Sequence, residues 1–236
     1  MSDTQFNLAT VIDDIKNVIT NPVDFYRQMP TEGGYTNPLI FVVVVAVITG
    51  LLISLTSLIG MSNAVMAGGM AFAAIFIFPI MAIIGSFIAA AILFIIWKLM
   101  GSEKNYEVAY RCVAYSFAIV PVVTLLSFIP YIGTIIKTLW TCFLLYVASI
   151  EVHKLKAQTA KIVFAVLAVI GLLYGIASEH TFRSFQSTIE NGFPNGELPA
   201  IFDDLENIED LSPEEAGEKV GEFLRGLEDS LNEQGN

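Results

Sequence analysis

Residues 38–59 read PLIFVVVVAVITGLLISLTSLI, and residues 72–98 read FAAIFIFPIMAIIGSFIAAAILFIIWK. From Gly33 to Trp97 the chain carries no charged side chain. A bilayer core about 30 Å thick takes roughly 20 apolar residues as helix, so this stretch holds two crossings with a turn between them. Pro38 opens the first, at a position where its missing N–H breaks no helical bond. The second is long enough to tilt, and Pro79 is expected to kink it. Gly60-Met61-Ser62-Asn63 and Gly68-Gly69 mark the turn.

Downstream, Cys112 to Ile150 carries one charge, Lys137, and a turn signal, Pro130-Tyr131-Ile132-Gly133, in its middle. It divides into spans 112–129 and 131–150, and residues 162–178 make a fifth. Residues 101–111 read as a turn and a short amphipathic lead into span three. Upstream, Phe6, Leu8, Val11, Ile12, Ile15, Val18 and Ile19 fall on one side of a helix. Its polar face lacks the lysines and arginines of a lipid binder, so it is expected to dock on the bundle. Asn21-Pro22 ends it, and Phe25, Tyr26 and Met29 supply an apolar patch. The predicted fold is all-α, a polytopic bundle of five transmembrane helices (38–59, 72–98, 112–129, 131–150, 162–178). An N-terminal segment, 1–37, with an amphipathic helix precedes it, and an acidic, partly helical tail, 179–236, follows.

Composition agrees. The 236 residues are 55% hydrophobic and 15% charged, with a mean hydropathy of +0.66. Soluble chains carry about 25% charged residues, which argues against a cytosolic enzyme. The net charge of -11 is unevenly placed: residues 1–177 hold 9 basic and 8 acidic side chains, residues 178–236 hold 3 and 15. No basic stripe exists to meet nucleic-acid phosphates.

No cleavable signal peptide is expected, because an acidic amphipathic segment rather than a basic one precedes the first apolar run. Orientation follows from the lysines and arginines of the loops. With the N-terminus cytoplasmic, the inner segments carry Lys16, Arg27, Lys98, Lys104, Arg111, Lys154, Lys156 and Lys161. The outer loops carry none, which predicts a cytoplasmic N-terminus and an extracytoplasmic C-terminus; an even span count would put the tail inside.

Within the tail, Ser212 is an N-cap, Pro213 takes the first helical position, and Glu214 and Glu215 suit the positive end of the helix dipole. Ala216, Val220, Phe223, Leu224, Leu227 and Leu231 then form an apolar stripe over about 213–231. The stripe needs a surface: the tail's own upstream segment, the bundle, a second copy or a partner, none of which the sequence selects.

Catalytic chemistry is sparse. His153 lies on the inner loop and His180 beyond span five, neither at metal-ligand spacing from Cys, His, Asp or Glu, and the five predicted spans hold no Asp or Glu. Cys112 and Cys142 read as small packing residues, and no cofactor or metal is expected. Lys137 is the one intramembrane ionisable residue. It either snorkels or pairs with carbonyls near the proline turns, or it serves transport or a partner contact. Ala82, Ser86 and Ala90 recur every four residues in span two, with Gly85 and Ala89 flanking, a face that lets helices approach closely within one chain or between copies.

The order of these elements resembles the Ypt/Rab-interacting protein (YIP) family of five-span membrane proteins, in its bacterial branch. The matching residues are Asn21-Pro22-Val23-Asp24-Phe25-Tyr26-Arg27-Gln28-Met29-Pro30, then Gly33-Gly34-Tyr35 and Asn37-Pro38-Leu39-Ile40-Phe41. Tyr115 and Pro121, Ile129-Pro130 with Ile132-Gly133, and His153-Lys154-Leu155 follow. The resemblance covers about residues 8–177 and implies an integral membrane protein with a cytoplasmic N-terminus and an outer C-terminus. Eukaryotic relatives act in vesicle trafficking, contact small GTPases and pair with other family members. The expected role is a non-enzymatic structural or partner-binding component in a lipid bilayer, expected to be a bacterial inner membrane. Its contacts would be a protein partner or a second copy through the transmembrane helices. The alternative is a transporter or channel-like protein using Lys137 and the proline-broken spans.

Overall fold

A computed structural model describes residues 8–60, 64–126 and 128–192. Among them every regular element is helical: α1 (Leu8–Thr20), α2 (Pro22–Gln28), α3 (Thr36–Gly60), α4 (Ala64–Leu99), α5 (Tyr106–Ser116), a 3-10 turn (Phe117–Ile119), α6 (Val120–Thr124), α7 (Ile132–Glu151) and α8 (Ala157–Gly192). The chain divides into two compact units, Met1–His180 and Thr181–Asn236, and the bundle is the first. Phe6 and the tail helix expected over about 213–231 lie outside the described residues.

Five helical stretches are long and apolar enough to cross a membrane: Thr36–Leu58, Ala71–Leu99, Tyr106–Thr124, Ile132–Glu151 and Ala157–Ser184. The all-α five-helix architecture expected from the sequence is the one observed. Leu51, Leu55, Phe76, Ile88, Leu173 and Tyr174 stand more than half exposed on the bundle. An apolar surface of that extent is matched to lipid rather than water. The chain is an integral membrane protein.

The third span is the centre of the bundle. Every α5 residue from Val108 to Ser116 is buried, with Asn105 capping the helix by accepting the Val108 N–H at 3.1 Å. The helix also takes in residues 106–111, which the sequence reads as a lead, because Glu107 and Arg111 neutralise each other one turn apart. Pro121 cannot donate to the carbonyl four residues back. The chain tightens to a 3-10 turn just before it and resumes as α6.

Small residues set the closest helix approaches. A Cβ added at Gly50 in α3 would lie 2.4 Å from the Ala74 carbonyl oxygen of α4, and the Ser54 hydroxyl reaches the Gly50 and Ala71 carbonyls at 2.8 and 2.9 Å. Ala82, Ser86 and Ala90 are buried while Ile84, Ile88 and Ile92 on the opposite face are exposed. The small-residue face thus serves packing within the chain, with Phe87 stacked on Tyr110 of α5 at 4.3 Å. Gly68-Gly69, expected in the turn, lie inside α4, which continues through Pro79. An apolar surround favours closing backbone hydrogen bonds over the helix-breaking tendency of glycine.

At the far end, away from α1 and α2, α7 starts after Tyr131, whose φ is +65°. Glu179 of α8 accepts the Tyr131 N–H at 2.8 Å and the Thr134 hydroxyl. A carboxylate at this helix start satisfies a free N–H and suits the dipole. One and two turns earlier in α8, Gly175 and Gly171 face the methyls of Thr134 and Thr138 closely enough that a Cβ would stand 2.8 and 3.0 Å away. Glycine there brings α8 against α7.

Candidate functional site

The near end of the bundle, where α1 and α2 dock, gathers the buried polar side chains Ser102, Arg111, Ser149 and His153. Val11 and Val18 of α1 are buried, with Ile15 and Ile19 packed beside the core, so the amphipathic helix covers protein. Pro22 is the first residue of α2, a helix the sequence reads only as an apolar patch. Tyr26 is 1% exposed and donates its hydroxyl to the Cys112 carbonyl at 3.1 Å; burial holds its pKa well above the usual phenol range. Arg27 grips both Glu151 oxygens, Nε to Oε2 and Nη2 to Oε1, each at 3.1 Å. This fork ties α2 to the end of α7 and raises the guanidinium pKa.

Arg111, 2% exposed, closes a second tie. Its Nη2 donates to the Gly34 carbonyl at 2.7 Å and to Glu107 Oε1 at 3.3 Å, while the same carboxylate oxygen accepts the Gly34 N–H at 2.7 Å. Both backbone groups of Gly34 are thereby used. The loop needs glycine, since Gly33 and Gly34 have φ of +115° and +76°. The sequence signal was present as Glu107 and Arg111 at i, i+4 and the Gly33-Gly34 pair, but nothing in it joins positions 77 residues apart.

His153, expected on an inner loop, is 5% exposed. Its ring stacks on Trp97 at 4.1 Å between centroids, its Nδ1 lies 2.7 Å from the Ser102 hydroxyl, and its Nε2 lies 3.9 Å from Cys112 Sγ. Trp97 donates its indole N–H to Ser149 at 2.7 Å. The turn that delivers His153 holds Lys154 at φ +54°, and the Leu155 N–H returns to the Ser149 carbonyl at 3.0 Å, a helix stop of the kind usually built on glycine. Burial, then the nearby Lys104 and Lys98, lower the imidazole pKa to about 4. A neutral, enclosed imidazole beside an enclosed thiol is a packing and hydrogen-bonding group. Among the described residues no three His, Cys, Asp or Glu side chains converge on a metal position.

Beside this layer, α1, α2, the start of α3 and Tyr115 surround a cleft of about 600 Å³. Phe25 and Phe41 both meet Tyr115 edge-on, at 5.0 and 4.8 Å. Asp14 and Asp24 line the cleft, and no Lys, Arg or His does.

Of the residues singled out from sequence, Pro22, Phe25, Tyr26, Pro38, Tyr115 and His153 meet at the near end. Pro38 is buried there in the first turn of α3. Pro121, Pro130, Gly133 and Lys137 fall toward the far end. Pro121 is buried, Pro130 is exposed, and a Cβ at Gly133 would stand 3.1 Å from the Val123 carbonyl oxygen. Lys137 is exposed on α7 and lines neither described cavity. Trp97, Ser102, Glu107 and Arg111 are the site-building residues that pattern reading left out.

No curated protein and no solved structure matches the chain. A family model does: residues 16–178 match the Yip1 domain. That match spans all five membrane helices up to the last turns of the fifth and includes every residue of the near-end layer from Tyr26 to His153, so the chain belongs to the Yip1 domain family.

Proposed function

We propose that this protein is a non-enzymatic structural or partner-binding component of a bacterial inner membrane, with its N-terminus cytoplasmic and its C-terminus outside. The observation that carries the reading is the near-end layer. Helix α2 and the loop after it are tied to the bundle by Arg27–Glu151, Tyr26–Cys112 and Arg111–Gly34, and α1 packs beside them through Val11 and Val18, which together make a cap at the end of the bundle, largely from residues of the Yip1 domain. A preformed cap of this kind suits protein contact. The basic residues of the short loops support a cytoplasmic placement for it. Lys137 stands on the exposed surface of α7, which favours snorkelling over a transport path.

The reading is tested by purifying the tagged full-length protein from native membranes with its lipids retained. A stoichiometric partner, or a defined homo-oligomer, supports it. A monomer that carries solute flux in proteoliposomes, with the flux lost in Lys137→Leu, overturns it in favour of transport.

A further inference from the structure

The near-end cleft contains an unusual set of groups for a protein surface. Tyr115 lines it, is 7% exposed, and its hydroxyl has no hydrogen-bond partner among the described residues. That hydroxyl is not among the fully enclosed unpaired atoms, so it opens to the cleft and is available to pair with what enters it. Asp14 also lines the cleft, is half-buried and has no ion-pair partner among the described residues. Burial, and then Asp13, raise its pKa, as expected of a carboxylate lacking a counter-charge. Asp24 adds a second carboxylate, held in part by Arg27 at 3.3 Å.

The lining grades from polar to apolar: Asn17 and Asn21 share the cleft with Ile40 and Phe41 of the first turns of α3. That helix is long and apolar enough to cross a membrane from Thr36, and such a crossing would set the cleft near the level where lipid headgroups meet hydrocarbon. Arg27 offsets Asp24, so Asp14 is the carboxylate without a counter-charge; with no cationic side chain lining the cleft, it favours a positive charge over a phosphate. The Phe25, Phe41 and Tyr115 rings that line the same cleft offer cation–π attraction.

We propose that this cleft binds an ammonium group, carried by a small free amine or by the headgroup of an aminophospholipid. Asp14 supplies the charge, and the Tyr115 hydroxyl supplies a neutral hydrogen bond to the same nitrogen. The headgroup phosphate stays outside, at the rim, and the apolar part follows Ile40 and Phe41 down α3.

The test uses the full-length protein released from membranes containing equal amounts of phosphatidylethanolamine and phosphatidylglycerol, with retained lipids counted by native mass spectrometry. In parallel, free ethanolamine binding is followed by saturation-transfer NMR on protein free of aminophospholipid. Retention of one phosphatidylethanolamine in preference to phosphatidylglycerol identifies the headgroup as the source. Ethanolamine binding without that retention identifies a free amine. In either case Asp14→Asn is expected to weaken binding about tenfold or more, since it removes a charge-assisted bond. Tyr115→Phe keeps the ring packing and is expected to weaken it about threefold to tenfold. An unchanged melting temperature certifies each variant as folded, and Tyr115→Phe carries the test if Asp14→Asn does not fold. Equal retention of the two lipids together with no ethanolamine binding overturns the proposal, as does binding that neither folded variant weakens.

Discussion

Arg111 shows how one side chain can hold a loop, an acid and a span together. It is nearly sealed from solvent; without it the Gly34 carbonyl loses its side-chain donor and Glu107 keeps the Gly34 N–H but loses its counter-charge. Arg111→Ala is expected to cost about 3–5 kcal/mol, the usual cost of orphaning one half of a buried ion pair. Arg111→Lys is expected to recover little, because an ammonium cannot reproduce the planar fork. Chemical denaturation in a fixed detergent measures both. His153 makes a pH prediction with a definite sign. Its pKa is about 4 when folded and 6.5 when free, so between these values the unfolded chain binds more protons and stability rises with pH. Stability is expected to be flat above about pH 7 and to fall by about 3 kcal/mol toward pH 4. The charged groups facing the ring, Lys98 and Lys104, both oppose protonation, and neutral Ser102, Cys112 and Trp97 complete its surroundings. Comparing melts of the wild type and His153→Gln across this range isolates the effect, since the variant loses that slope.

At the scale of the element, helix pairs are fitted through a few small residues. Gly50 faces backbone rather than a movable side chain, so a Cβ at 2.4 Å from the Ala74 oxygen forces α3 and α4 apart. Gly50→Ala is expected to destabilise by about 1–3 kcal/mol, the range for overpacking a close contact. Gly85→Ala, where a Cβ meets nothing within 4 Å, is the control expected to fall within about 0.5 kcal/mol of wild type. Unfolding in mixed micelles reads the difference. Spans one and two were legible from sequence because a 65-residue uncharged run admits no other reading in a chain of this composition. The third span was harder to bound. Its mean hydropathy of 1.2 is the lowest of the five, since as the central helix it meets protein on every side and can carry Glu107 and Arg111. Helix α2 was missed because seven residues are too few to show a period.

For the whole molecule, the lysine and arginine distribution supports an orientation that a test at one position decides. An alkaline-phosphatase fusion at Asn236 is expected to be active in the periplasm, and an inactive, well-expressed fusion would place the C-terminus inside and overturn the proposed topology. The acidity of the chain belongs to its last segment, whose 15 acidic and 3 basic residues all lie beyond the Yip1 domain. The two compact units of the chain divide close to the same place.

Sequence alone determined the class: an all-α membrane protein with five apolar helices, a docked amphipathic helix and membership of a recognisable family. That much follows from run lengths and local periodicity, which are properties of neighbours in the chain. The tertiary structure decided which polar residues matter. Arg111 meets Gly34 across 77 positions, His153 meets Ser102 across 51, and Tyr26 meets the Cys112 carbonyl across 86. Each is buried only because helices remote in sequence close around it, and burial is what turns an ordinary polar side chain into a structural tie, while the same closure sets Tyr115 and Asp14 on one cleft.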